Sequence, residues 1–325
     1  MHAVTVTTPG GPESLRWEEV PDPVPGPGEI LLEVRAAGVN RADVLQRQGH
    51  YPPPPGAPQW PGLEVSGTVL ALGEGASGWE PGQEVCALLP GGGYAEQVAV
   101  DASLVLPVPA GVDLLSAAAL PEAAATAWSN LVDVARLAPG ETVLVHGGSG
   151  GVGTFAVQLA AARGSRVVAT ARDAGRCAAV AELGADLVVP YATADVLAAV
   201  REATGGRGVD VVLDVLGAGG LETNLKALAT GGRLVVIGMQ KGRRGEIDLG
   251  LLLARRASVH GTTLRSRPLA ERAALVAALR EHVWPLLESG AVRPVVHAVL
   301  PITEAARAHE LLESGEVLGK LLLEV

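Results

Sequence analysis

Residues 142–164, TVLVHGGSGGVGTFAVQLAAARG, decide how this chain is read. The apolar run TVLVH is short enough for a buried strand, and the residues after the glycines have helical spacing. Val152, Phe155, Ala156, Leu159 and Ala160 fall on one face, and Gly164 stands where a helix C-cap belongs. Between strand and helix lies Gly148-Ser149-Gly150-Gly151-Val152-Gly153, a G-x-G-x-x-G turn. In this setting each glycine has a task. Gly148 permits the tight turn, Gly150 lets backbone approach a pyrophosphate, and Gly153 lets helix and strand pack closely. The unpaired N–H groups and positive dipole end of the helix then hold the phosphates. The stretch predicts a Rossmann-type dinucleotide site.

The next strand, SRVVAT, carries the choice of dinucleotide at its tip. An acid there accepts the ribose hydroxyls of NAD and repels the 2′-phosphate of NADP. This tip reads Ala171-Arg172-Asp173. Ala171 has no polar group to offer. The Arg172 guanidinium suits a phosphate, and Arg176, four residues on, supplies a second charge if the segment is helical. Asp173 reads as the N-cap of the helix begun by AGRCAAVAELG. The tip therefore favours NADPH.

Working outward, strands DLVVPY, VDVVLDVLG and RLVVIG alternate with helical patterns, the signature of a parallel sheet covered on both faces. Residues 1–114 read differently. LRWEEV, EILLEVRAAGVN, LEVSGTVLALG and EVCALL are strands broken by PDPVPGPG, YPPPPGAP and GWEPGQ. LLSAAALPEAAATAWSNLVDVARL is a helical stretch broken at Pro121. A helix, PLAERAALVAALREHVWPLLESG, opens the last part, and its final strand KLLLEV has no helix after it and is free to return to the first part. The expected class is α/β, with two domains: a mainly-β domain from residues 1–114 and 265–325, and a doubly wound domain from 115–264. A length of 325 suits two domains of roughly 150 residues.

Composition excludes several functions. A net charge of −10 and 3% aromatics argue against a nucleic-acid surface, so no nucleic-acid partner is expected. No apolar run reaches the ~18 residues of a membrane span. The chain opens on an apparent strand, MHAVTV, with no visible leader, so the cytoplasm is the expected compartment. Cys86 and Cys177 fit no zinc spacing and read as reduced thiols. The histidines form no ligand cluster. His146 ends a buried strand as a core residue, and His50 reads as a rim residue.

GVNRADVLQRQGHY (38–51), WPGLEVSGTV (60–69), GGYAEQVAV (92–100), LPEAAATAW (120–128) and HGGSGGVG (146–153) together resemble the medium-chain dehydrogenase/reductase superfamily. They look most like its zinc-free quinone oxidoreductase branch, which includes zeta-crystallin. The resemblance implies a GroES-like catalytic domain built from both chain ends, a Rossmann domain, NADPH and a homodimer. Zinc members place a Cys ligand near Asn40 and a His ligand where this chain has Leu63, and the cysteine-rich structural lobe is missing, so no metal is expected.

That absence is consistent with quinone chemistry. An alkoxide needs a Lewis acid, whereas a reduced quinone is a phenolate-like anion whose conjugate acid has a pKa of about 10. Positioning then carries most of the catalysis. The resemblance puts Asn40 and Tyr51 near nicotinamide and substrate. Asn40 would donate to the substrate oxygen or touch the cofactor, and Tyr51 would donate its hydroxyl or wall the site. Some relatives carry an active-site tyrosine where this chain has Leu45. Thr126, Leu216, Gly217, Ile237, Gly238, Met239 and Leu264 would line the cofactor, Tyr191 would touch its 2′-phosphate, and Lys320 is a further cleft candidate. Asp43 and Glu64 read as structural carboxylates paired with Arg41 or Arg47. The reading is an NADPH-dependent quinone reductase acting on a small-molecule quinone, dimeric through SVHGTTL at the sheet edge. Its rivals are a reductase of α,β-unsaturated ketones or aldehydes and a non-catalytic NADPH-binding protein.

Overall fold

The structure, a computed structural model, describes residues 1–325. The chain divides into two compact units. The first is Met1–Ala125 with Leu264–Gly290 and Pro294–Val325, and the second is Thr126–Thr263 with Ala291–Arg293.

The first unit opens with the antiparallel pair β1 (His2–Val6) and β2 (Leu15–Glu19). Then come β3 (Glu29–Val39), α1 (Arg41–Arg47), β4 (Glu64–Leu72), β5 (Glu84–Leu88), β6 (Gln97–Asp101), β7 (Val105–Pro107) and α2 (Leu114–Ala117). In β3, Ile30, Leu32 and Val34 are buried while Glu33 and Arg35 face out, the period-2 pattern of a half-covered strand. From Ala36 onward both faces are buried, because Ala118 and Ala119 pack on Ala36. Residues 115–125, expected with the dinucleotide domain, therefore belong to the first unit: their small side chains let the backbone lie against its sheet. The helical stretch is broken at Pro121, which begins α3 (Pro121–Trp128).

The second unit holds β8 (Thr142–Val145), α4 (Gly151–Ala162), β9 (Arg166–Ala171), α5 (Ala174–Ala181), β10 (Leu187–Pro190), α6 (Val196–Ala203), β11 (Val209–Asp214), α7 (Leu221–Ala227), β12 (Leu228–Val236), α8 (Leu249–Arg255) and β13 (Ser258–Gly261). All six strands are parallel, in the order β10-β9-β8-β11-β12-β13. Strand order reverses between β8 and β11, where doubly wound folds bind their ligands. Leu144, Val168, Val212 and Leu234 are fully buried in the core, each contributing about 1.5–3 kcal/mol. Residues 291–293 join this unit because the Gln158 amide clasps Arg293, donating to its carbonyl and accepting from its N–H, both at 3.0 Å.

The first unit resumes with α9 (Leu269–His282) and α10 (Trp284–Glu288), followed by β14 (Val296–Pro301), α11 (Ala305–Ser314) and β15 (Lys320–Glu324). The stretch read as one helix is two, because Pro285 has no N–H to continue α9 and instead sits in the first turn of α10. Strand β15 lies between β14 and β3, with Leu321 opposite Val39 and Leu322 opposite Gly38, in the sheet β14-β15-β3-β4-β5-β7, with β6 also on β3. No helix is long and apolar enough to cross a membrane.

Candidate cofactor and substrate sites

In the second unit the three motif glycines are not equivalent. A Cβ on Gly148 would stand 2.9 Å from Ala169 Cβ, and one on Gly153 would meet Gly147 O at 2.0 Å. The protein itself demands glycine at both. A Cβ on Gly150 would meet only Gly147 O, at 3.4 Å, with φ −80° open to any residue. Nothing in the chain needs that bare backbone, so it suits the close approach of a ligand. The N–H groups of Gly151, Val152 and Gly153 have no backbone acceptor, which leaves three donors for an anion. The turn fits a diphosphate.

A buried network holds the turn from behind. His146 Nε2 lies 2.7 Å from Asn224 Oδ1 and its Nδ1 3.3 Å from Thr170 Oγ1. Burial lowers its pKa, so the ring is neutral. The partners assign the proton to Nε2, since Asn224 Nδ2 already donates to Asp214 at 2.9 Å. Thr170 Oγ1 also accepts from Gly147 N at 3.2 Å, and Asp214 accepts from the N–H groups of Leu216 and Gly217. One network thus ties β8, β9, β11 and α7 together. His146 is the satisfied core residue its place in the sequence suggests.

Leu216 and Gly217 come after β11, and Ile237, Gly238 and Met239 after β12. These ends interlock: Ile237 N donates to Asp214 O at 2.8 Å and Lys241 N to Leu216 O at 2.7 Å. Gly217 has φ +73°, and a Cβ there would meet Gly242 O at 2.6 Å, so only glycine lets the second loop settle. Ser149 and Val152 are half-buried in the turn, and Thr126 is half-buried at the start of the unit. Leu264 is buried in the first unit.

At the strand tip Ala171 is buried and its carbonyl accepts from Tyr191 N at 3.0 Å. Asp173 caps α5, accepting from Arg176 N at 3.0 Å, and its other oxygen pairs with the Arg176 guanidinium. That backbone hydrogen bond and the guanidinium hold the Asp173 carboxyl below its ordinary value. Arg176 is therefore not the free second charge the sequence suggested, because the nearest carboxylate neutralises it. Arg172 is exposed and pairs with nothing. The second cation is one the sequence reading missed. Lys241 Nζ stands 5.8 Å from the centroid of the half-exposed Tyr191 ring, also without an acidic partner. Its signal was the cationic MQKGRR (239–244), which begins three residues past the end of β12.

In the first unit the side chains carry the site. Asn40 ends β3 and caps α1 in extended conformation. Its amide donates to Glu64 Oε1 at 2.9 Å and Gly38 O at 3.3 Å, and its Oδ1 accepts from Lys320 Nζ at 2.7 Å. Lys320 also donates to Glu64 Oε1 at 2.5 Å and Val39 O at 3.1 Å. Its three protons are used, so Lys320 has none left for the cofactor. It compensates a fully buried carboxylate, a charge too costly to leave unpaired. Glu64 Oε2 accepts from the Glu122 N–H at 2.8 Å. Gly38 makes room, since a Cβ there would strike Glu64 Oε1 at 2.3 Å.

The arginine partners expected for Asp43 and Glu64 are absent. Arg47 turns to Glu313 at 3.0 Å, while Asp43 accepts from Asn40 N, Gly62 N and the Tyr94 hydroxyl. Burial lifts the Asp43 carboxyl to about 6. Tyr94 also meets His309 Nε2 at 3.2 Å, and burial with the Arg47 charge pushes His309 down to about 3. Tyr51 is half-buried with a hydroxyl that has no protein partner, and burial raises its pKa. Arg265, which sequence reasoning missed, positions it. The guanidinium lies 5.3 Å from the Tyr51 ring centroid and donates to Tyr51 O, Gln46 Oε1 and Pro90 O. His50 is exposed beside it and makes no contact with the cluster.

No group of three His, Cys, Asp or Glu side chains here could hold a metal ion. Around Asn40 the donor set is an amide, a carboxylate and a fixed ammonium, which does not fit zinc. Cys86 is buried, with its thiol pKa pushed up by desolvation.

Residues 26–110 match the alcohol dehydrogenase GroES-like domain and residues 151–280 the zinc-binding dehydrogenase family. The rat quinone oxidoreductase is 34% identical over 99% of this chain and 97% of its own. Escherichia coli quinone oxidoreductase complexed with NADPH superposes with a TM-score of 0.90 at 29% identity, covering 100% of both chains. A solved NAD-dependent alcohol dehydrogenase superposes at 0.88 with 34% identity, again over 100% of both. With full-length coverage, these glycines and this metal-free donor set, the chain is an oxidoreductase of the medium-chain dehydrogenase/reductase superfamily and belongs to its zinc-free quinone oxidoreductase branch.

Proposed function

We propose that this protein reduces a quinone with NADPH, without a metal. The observation that carries the cofactor is the strand tip. Its only acid, Asp173, is consumed by capping α5 and pairing Arg176, while Arg172 at the tip and Lys241 beside the Tyr191 ring are unpaired cations. A 2′-phosphate would find charge there, and a bare ribose would find no free carboxylate. Gly148 to Gly153 would hold the diphosphate, and Leu216, Gly217 and Ile237 to Met239 would line the remainder. When bound, the nicotinamide supplies a hydride.

The first unit supplies what the substrate oxygen needs. Asn40 is held rigid by Glu64 and Lys320, with its longer N–H contact, to Gly38 O, the one available for redirection. Tyr51 offers a free hydroxyl whose ring Arg265 fixes. Lys320 and Arg265 are positioning residues. A quinone suits this set because its reduced oxygen is phenolate-like and needs orientation more than Lewis acidity.

The dimer is part of the same reading. Strand β13 is the edge of its sheet, Val259 is 38% exposed, and Leu249 and Leu253 on α8 are 61% and 77% exposed. Antiparallel pairing of β13 with its twofold mate would satisfy the open backbone and cover these residues. The test of function is NADPH and NADH oxidation across a panel of quinones and enones. Highest kcat/KM with NADPH and a quinone supports the reading, and a preference for enones moves it to the reductase of unsaturated carbonyls. Light scattering showing a stable monomer at micromolar concentration removes the dimer.

A further inference from the structure

Three carboxylates of the first unit crowd together, and only two are bonded. Asp43 accepts from Asn40 N, Gly62 N and Tyr94. Glu64 accepts from Asn40, Lys320 and Glu122 N. The carboxyl group of Glu122, a half-buried residue, has no hydrogen-bond partner in the protein. Its place is fixed all the same. One oxygen of Glu64 takes the Asn40 amide at 2.9 Å and the other takes Glu122 N at 2.8 Å, so one buried carboxylate sets both residues on a common template.

The surroundings oppose its ionisation. Desolvation acts first and the Glu64 charge on β4 second, with Asp43 on α1 adding to them. Lys320 on β15 and Arg265 offset these only in part, which leaves the carboxyl at about 8. Tyr51 lies near enough to feel the Glu122 charge. A residue whose carboxyl is mostly protonated at neutral pH is thus anchored, through its N–H, on the same carboxylate that holds Asn40.

We infer that Glu122 is the proton donor of the reaction, delivering its carboxyl proton to the substrate oxygen made anionic by hydride transfer. This rests on the hydride-transfer reading above. The substrate gains two electrons and one hydrogen with the hydride. The Glu122 O–H bond then breaks as the product O–H bond forms, and the carboxylate recovers a proton from water. Each turnover takes up one proton.

The test is Glu122→Gln, with Glu122→Asp and Tyr51→Phe beside it, in single-turnover quinone reduction from pH 6 to 10. The wild-type rate should fall above about pH 8 and slow in D₂O. Glu122→Gln should lose about tenfold to a hundredfold, at or below the lower end of general-acid effects, because a phenolate-like oxygen asks little of an acid. It should also lose the alkaline limb and the solvent isotope effect. Glu122→Asp should restore part of both, and Tyr51→Phe should keep the limb. A protonated-carboxyl infrared band that disappears near pH 8 in the wild type and is missing from Glu122→Gln gives a readout independent of turnover. A Glu122→Gln variant that keeps the wild-type rate, limb and isotope effect overturns the donor role alone. A wild type that reduces no quinone overturns the reading beneath it.

Discussion

The two units prepare for a ligand in opposite ways. The second offers mainly backbone: bare glycines and the N–H groups opening α4, held by a network whose side chains face inward. On the proposed function the first offers side chains: Asn40, Tyr51 and Glu122, with Lys320 holding Asn40 from behind, come from four separate parts of the chain. Backbone sites are local, so a dozen consecutive residues announce them. Side-chain sites depend on the completed fold, and their members are unremarked in sequence until the sheet brings them together.

The largest expected effect tests the side-chain half. Lys320→Met leaves Glu64 buried without its cation and should cost about 3–5 kcal/mol of stability. Urea unfolding measures it, and Glu64→Gln in the same chain should recover much of the loss. Next comes the strand tip. Arg172→Ala should weaken NADPH binding by about 1.5–3 kcal/mol, or one to two decades, and leave NADH nearly unchanged. Lys241→Met should do the same. The Ala171→Asp, Arg172→Ala pair should reverse the preference, read as dissociation constants at one fixed salt concentration. If the wild type prefers NADH, Asp173 rather than Arg172 faces the ribose.

A smaller effect separates the glycines. Gly150→Ala should leave the unfolding midpoint within a degree or two while reducing cofactor affinity about tenfold, because its Cβ disturbs the ligand and not the chain. If Gly150→Ala destabilises the protein as a Cβ on Gly153 would, the division between packing glycines and ligand glycines fails.

The last test is the pH dependence of stability. The native pKa of Glu122, about 8, exceeds its ordinary 4.5, so the native state retains a proton the unfolded chain releases. Stability from this group is full below pH 4.5 and is lost as pH rises toward 8. Glu122→Gln should match the wild type near pH 4 and exceed it at pH 9. His309 has the reverse sign. Its native pKa of about 3 lies below its ordinary 6.5, so its contribution is full above 6.5 and is lost as pH falls toward 3.

Legibility in the sequence divides along the same line. The strand, turn and helix of residues 142–164 are legible because each element is set by its neighbours, and Asp173 is legible as a cap because a helix pattern comes after it. The Arg176 side-chain pairing with that same Asp173 was not, since a helix wheel places residues without saying which rotamer wins. The partner of Glu64 was sought among Arg41 and Arg47, close in sequence, but is Lys320, 256 residues away, because strand β15 lies against β3. Arg265 and Lys241 sit in loops with no periodicity to betray them. Residues 115–125 pack with the first unit, which an alanine-rich helix does not announce, because it suits either unit until packing decides.

The position of β15 also bears on how the molecule assembles. Apart from residues 291–293, the second unit is one uninterrupted stretch, and its parallel strands close over short crossovers. The first unit cannot complete its sheet until β15 meets β3 across the whole inserted stretch, a loop closure of high contact order and correspondingly slow. In refolding, NADPH fluorescence should recover before turnover does: the chain regains its grip on the coenzyme while Asn40 still waits for the ammonium that will hold it.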